Sequence, residues 1–138
     1  MVQNLLSSIP GKCVPVSYHP GPVLPGGRSY AQAWQKSMDF ALEVYQVTGN
    51  FPKEEMYGLT SQLRRAAVSV PSNIAEGAAG RTRQQFSNFL PTAIGSLNEI
   101  DTQLDLAVRL GYLTETDYDR LYHALDECLA LPMDYERQ

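Results

Sequence analysis

The chain has 138 residues, enough for one domain and too few for two. Its charged fraction of 19% lies below the usual ~25%. With 43% hydrophobic residues a core can form, and the thin polar surface is of the kind that oligomers cover. A formal charge of −4 excludes a protein that is basic over its whole surface. Two cysteines as far apart as Cys13 and Cys128 exclude a disulfide framework and point to a reducing compartment.

Residues 1–28 hold five of the nine prolines and four of the ten glycines, and proline breaks helices by removing an N–H and crowding the preceding turn. This stretch reads as an extended or disordered arm, followed by a helical domain over 29–131 and a short tail over 132–138. Met1 to Pro10 contains no Lys or Arg, so a secretory signal is not expected. No segment approaches the ~18–20 apolar residues of a membrane span. The expected location is the cytoplasm.

Ser29-Tyr30-Ala31-Gln32 has the form of a capping box, and Trp34, Met38, Ala41, Tyr45 and Thr48 follow at spacings of three and four. A first helix over about 30–48 is predicted, with that stripe buried and Gly49 as its left-handed stop. Phe51-Pro52 is predicted to open a second helix, with Glu54 and Glu55 near its positive end. On it Leu59, Leu63, Ala66, Ala67, Val70, Ile74 and Gly77 share one face. Gln62, Arg65, Ser69, Asn73 and Glu76 form a polar stripe beside that face. Val68, Ala75 and Ala79, with Pro71 among them, make a third sector, and a helix that is apolar or small on two sectors has more than one neighbour to satisfy.

Thr82-Arg83-Gln84-Gln85 is a second capping box. Behind it Phe86, Leu90, Ala93, Leu97, Ile100, Leu104 and Ala107 form a heptad-like seam, interrupted by Pro91 and ended by Gly111. Thr114 to Asp117 resembles a third cap, ahead of Tyr118, Leu121, Tyr122, Leu125, Cys128 and Leu129. Pro132 is predicted to stop this fourth helix early, leaving it shorter than the second and third. No alternating run makes a strand. The fold class is all-α, and short connections favour an antiparallel, up-down-up-down four-helix bundle.

Phe51-Pro52-Lys53-Glu54-Glu55, Tyr57 through Ala67, and Val70-Pro71-Ser72-Asn73-Ile74-Ala75-Glu76-Gly77 closely resemble the signature of one bacterial family. Its members are the four-helix proteins first noted as reading frames inside intervening sequences of 23S ribosomal RNA genes. Gly95-Ser96-Leu97 with Glu99, and Leu110-Gly111-Tyr112-Leu113, are similar to its second half, and the resemblance covers about 30–129. It implies an antiparallel bundle assembling as a ring-shaped homopentamer, with no established enzymatic activity. The accessory protein of diversity-generating retroelements is a more distant relative by fold. Pro91 and the Pro/Gly-rich arm depart from the family pattern.

Few residues here can carry chemistry. None of the eight glutamates is followed at +3 by histidine, so the pattern of a di-iron bundle is missing. His19 lies in the arm, and His123 and Cys128 sit too far around a helix to share one ion. Ser61, Ser69 and Ser72 have no nearby histidine and no nucleophile elbow, and Gly77-Ala78-Ala79-Gly80 lacks the features of a phosphate loop. Neither metal nor other cofactor is expected, and the chain reads as a non-enzyme.

Charge is segregated along the sequence. Residues 58–90 carry Arg64, Arg65, Arg81 and Arg83 against Glu76 alone, whereas 91–138 hold ten acids and three arginines. Arg64, Arg81 and Arg83 are candidate contacts to RNA or DNA phosphates, repeated around a ring. They could equally pair with acidic helices of the same or a neighbouring subunit. Arg65, Asn73 and Glu76 are expected to anchor loops and neighbouring helices. Val68, Pro71, Ala75 and Ala79 are the candidate oligomer interface. The expected partners are further copies of the chain and, on one reading, nucleic acid; the alternative is a purely protein-binding oligomeric scaffold.

Overall fold

In the computed structural model of the chain, residues 28–80 and 82–136 are described, with side chains considered for 30–80 and 82–130. The arm over 1–27, Arg81 and the last two residues lie outside. Four helices follow in order: α1 (Arg28–Thr48), α2 (Leu59–Ala78), α3 (Arg83–Arg109) and α4 (Glu115–Glu136). No strand occurs among the described residues.

The clearest agreement between sequence and structure is α3. Thr82 caps it as a full capping box: its hydroxyl accepts from the Gln85 N–H at 3.2 Å, and Gln85 Oε1 accepts from the Thr82 N–H at 3.3 Å. All seven residues of the predicted seam, Phe86 to Ala107, are buried. Gly111 ends the helix at φ 76°, a conformation that costs any residue with a Cβ. Its N–H donates to Val108 O, and that of Tyr112 to Ala107 O, so two otherwise orphaned carbonyls are satisfied in a Schellman motif. The Thr114 hydroxyl then accepts from the Asp117 N–H at 3.1 Å and caps α4.

The first helix corrects the sequence reading. Its buried side is Ala33, Ser37, Phe40, Ala41, Val44, Val47 and Thr48, with Phe40 only 1% exposed. The predicted stripe of Trp34, Met38 and Tyr45 lies beside it, half-buried to exposed. Both stripes have helical spacing, and the larger aromatic residues of the outer one draw the eye to the wrong side. Gly49 is not in the left-handed region. The chain leaves α1 through consecutive tight turns, Asn50 N–H to Val47 O and Phe51 N–H to Thr48 O. The helix also starts at Arg28, which puts Ser29 inside the first turn instead of ahead of it.

The opening of α2 is a second correction. Pro52 begins only a short 3₁₀ turn, Lys53–Glu55, and α2 itself starts at Leu59 after Gly58. The reason is the Glu55 side chain. Its Oε2 accepts from the Leu59 N–H at 2.8 Å, a carboxylate on the positive end of α2, and Tyr112 donates to its Oε1 at 3.5 Å. One acid thus ties the 3₁₀ turn to the end of α3. Pro71 and Pro91 both lie inside continuous helices. Near Pro71 the side chains of Ser69, Ser72 and Asn73 donate back to the carbonyls of Ala66, Val68 and Ser69, next to the carbonyl of Ala67 that loses its donor. Pro132 likewise fails to stop α4, which runs to Glu136 and, with 22 residues against 20, exceeds α2 in length. A proline near a helix end forfeits one backbone bond without ending the turn.

Each helix packs on its neighbours in sequence, and α4 closes against α1; the diagonal pairs α1/α3 and α2/α4 make no close backbone approach and meet only through side chains of the core. This is a four-sided bundle around one core that includes Phe40, Val44, Leu63, Leu97, Ile100, Leu104 and Leu121. A smaller cluster at one end joins Tyr30, Ala78, Phe86 and Leu90, with the Tyr30 and Phe86 rings edge to face at 4.3 Å. The helices α2 and α3 come close at Gly77, where an added Cβ would lie within 2.9 Å of Phe89 Cβ.

Candidate assembly interface

The four sides of the bundle differ in chemistry, because the side chains that bridge neighbouring helices differ. Between α2 and α3 the bridges are polar: the Ser69 and Ser96 hydroxyls are hydrogen-bonded at 2.6 Å, and Gln103, which also donates to Glu99 of its own helix at 3.1 Å, donates to Gln62 at 3.3 Å. Between α4 and α1 they are ionic, Lys36 to Glu127 at 3.4 Å and Arg120 to Glu43 at 3.6 Å. Burial raises the Glu43 carboxyl above its ordinary value more than Arg120 lowers it.

The α1–α2 side is apolar. Here Trp34, Met38, Leu42 and Tyr45 of α1 fall beside Val68, Pro71 and Ala75 of α2, since Arg64, on the same side of α2, reaches across to α1. Leu42, Tyr45, Met56 and Val68 remain 40–55% exposed in the single chain. An open groove of about 420 Å³ runs between the helices, lined by Tyr45, Met56, Thr60, Arg64, Arg65 and Val68 among others. Isolated exposed apolar residues are ordinary, but a contiguous group along two helices marks an interaction surface.

Arg64 has a structural task within this side. Its Nε donates to Thr48 Oγ1 at 2.9 Å and its Nη2 to Tyr45 O at 3.4 Å, and its guanidinium carbon lies 4.6 Å from the centre of the Tyr45 ring. It therefore closes the negative end of α1 while stacking on an aromatic face. Of the other arginines, Arg83 sits exposed at the start of α3, and Arg81 lies outside the described residues.

Among the candidate interface residues, Val68 and Ala79 are exposed and Ala75 half-buried, whereas Pro71 is buried within the chain itself. The expected anchoring by Arg65, Asn73 and Glu76 is not found inside the bundle. Asn73 donates to Ser69 O of its own helix at 2.7 Å, and Arg65 and Glu76 are exposed on its outer stripe. A fixed angular relation on a helix does not supply a partner. Sequence reasoning missed the α1 contribution, Leu42 above all. The signal was there: α1 has apolar residues on two sectors, as α2 does.

The α3–α4 side is acidic and aromatic. Tyr118 and Tyr122 lie one turn apart with ring centres at 6.0 Å, and Tyr118 is near enough to Asp101 and Asp105 of α3 to feel their charge. Burial first, then these two carboxylates, raise the Tyr118 hydroxyl above its ordinary value. Asp105 pairs with Arg109 at 3.0 Å, and Asp126 continues the line of Tyr122 one turn on. His123 is exposed and Cys128 buried, its thiol pushed up to about 12 by burial. No group of three or more His, Cys, Asp or Glu suited to a metal ion occurs among the described residues. No described helix is long and apolar enough to cross a membrane.

Residues 30–132 match the sequence profile described as 23S rRNA-intervening sequence protein. Among solved structures, the bundle is similar to a protein of unknown function from the S23 ribosomal protein family of Bacteroides thetaiotaomicron. That likeness has a TM-score of 0.73 at 23% sequence identity, and covers 80% of this chain and 100% of that one. A comparison with curated proteins finds no match.

Proposed function

We propose, for a chain that belongs to the 23S rRNA-intervening sequence protein family, a non-enzymatic role as a self-assembling, antiparallel up-down bundle whose working unit is a homo-oligomeric ring. The antiparallel arrangement is supported by paired contacts that run in opposite order: Gln62 with Gln103 and Ser69 with Ser96, then Lys36 with Glu127 and Glu43 with Arg120. Self-assembly rests on one observation, the apolar α1–α2 side, where Leu42, Tyr45, Met56 and Val68 stay exposed around a groove. Five-fold symmetry is what the family resemblance implies, and the cytoplasm is the proposed location.

Replacing Val68 by Glu tests the reading. The residue is 44% exposed on a helix that accepts glutamate, so folding survives, while a charge enters the apolar contact. The expected result by size-exclusion chromatography with light scattering is a monomer with wild-type far-UV circular dichroism. A V68E variant of unchanged size overturns the reading.

The segregation of charge favours a second role for such a ring, contact with RNA or DNA phosphates through the arginines at the α2–α3 turn, Arg81 and Arg83. Arg64, bound to the end of α1, is a poorer candidate. On this reading, fluorescence anisotropy with a labelled RNA shows affinity that falls as salt rises, and R81A/R83A abolishes it. Binding equal in wild type and variant leaves the assembly without this role.

A further inference from the structure

Polar groups bridge the α2–α3 side by the serine and glutamine contacts and the α4–α1 side by ion pairs, at two levels each, whereas on the α1–α2 side the bridging group is Arg64, at the end of α1. The α1–α2 and α3–α4 sides lie across the bundle from each other, because α1 packs on α2 and α3 on α4 while the diagonal helices make no close backbone approach. Their characters are complementary. The α1–α2 side offers an apolar groove edged by Arg64 and Arg65. The α3–α4 side offers Tyr118 and Tyr122 with Asp101, Asp105 and Asp126.

We infer that the tyrosine-and-aspartate side of α3–α4 in one copy is what fills the arginine-edged α1–α2 groove of the next. The inference rests on the self-assembly reading above and deepens it by naming the partner surface. Tyrosine is suited to such a place: its ring covers apolar groove walls, its hydroxyl stays wet, and a guanidinium can stack on its face. The aspartates put opposite charge next to Arg64 and Arg65 and hold register. They also disfavour the self-paired alternative, in which two arginine-edged grooves face each other with like charges together. A contact between two different sides of the same chain is heterologous, so each subunit has one groove to fill and one side to insert. Such contacts close into a ring when the rotation between subunits permits.

The test uses two full-length variants, each damaged on one side only. V68E keeps the α3–α4 side intact, and Y122R/D126R keeps the groove intact. Both altered positions of the second variant are exposed, so its circular dichroism should match wild type. Each variant alone should be monomeric by light scattering, and an equal mixture at high concentration should give a 1:1 heterodimer in native mass spectrometry, because one good groove and one good insert remain. L106E, at a 47% exposed position on the α2–α3 side, should keep the wild-type size. If V68E is monomeric while Y122R/D126R keeps wild-type size, the partner surface is wrong and self-assembly stands. Two monomers that fail to pair, or disassembly by L106E, also overturn the inference. If V68E itself keeps wild-type size, the self-assembly reading falls first.

Discussion

The two stripes of α1 have the same periodicity and opposite fates. Ala33, Ser37, Phe40, Val44 and Val47 close the core, while Trp34, Met38, Leu42 and Tyr45 lie outside it, with Trp34 packed against its edge and Tyr45 lining the groove. Nothing in their spacing separates them, since both repeat at three and four. What separates them is the neighbour. The first stripe faces three other helices of its own chain, and the second faces α2 on one flank and solvent on the other. The inner stripe thus serves folding; the outer one contributes less to it and is available for assembly.

Paired substitutions on α1 should separate the two stripes most sharply. Phe40→Ala empties a site that is 1% exposed, and a Phe-to-Ala change in a core costs about 3–5 kcal/mol. Tyr45→Ala, at 44% exposure, should cost the folded chain well under half of that, through the lost Arg64 stacking, yet weaken assembly. Urea unfolding of each in the V68E background reads the folding term free of oligomerisation; equal losses would erase the distinction between stripes.

A smaller effect should come from Gly77→Ala on the core-facing stripe of α2. The added Cβ meets Phe89 at 2.9 Å, and overpacking of this kind costs about 1–3 kcal/mol despite the better helix propensity of alanine. Thermal melting that shows stabilisation instead would mean that Phe89 swings away and that the α2–α3 contact is looser than its geometry indicates.

The smallest effect is expected from Glu43, on the ion-paired α4–α1 side. Its folded-state carboxyl is raised by burial, so the folded chain holds a proton more readily than the unfolded one. Its contribution is most favourable below the unfolded value and is lost as pH rises from there through the raised folded value. Glu43→Gln should therefore be neutral to stabilising at pH 7 and lose its advantage in acid. Denaturation midpoints at the two pH values measure the difference; a variant that is less stable at pH 7 would show that the Arg120 pair outweighs burial.

Local chemistry was enough for much of the fold. Thr82, Gln85 and Gly111 bracket α3 through backbone bonds made within a few residues, and the seam from Phe86 to Ala107 has only one apolar sector to offer. The buried face of α2 was readable although that helix has two apolar sectors, because Leu59, Leu63, Val70 and Ile74 gather on one of them. Where a long-range partner decides, sequence fell short. Glu55 delays the start of α2 by capping it while accepting from Tyr112, 57 residues away. Arg64 read as a phosphate contact or as a partner for an acidic helix until the end of α1 was brought beside it.

The sequence by itself determined that four helices form, where α3 begins and ends, and that α2 has two apolar sectors, because caps, turns and periodicity act over one or two helical turns. The tertiary structure alone decided which stripe of α1 enters the core, which arginine is spent on a helix end, and which sides of the bundle are left unmatched. Those outcomes depend on what packing brings opposite each face, and burial, unlike periodicity, is a property of the neighbour as much as of the residue.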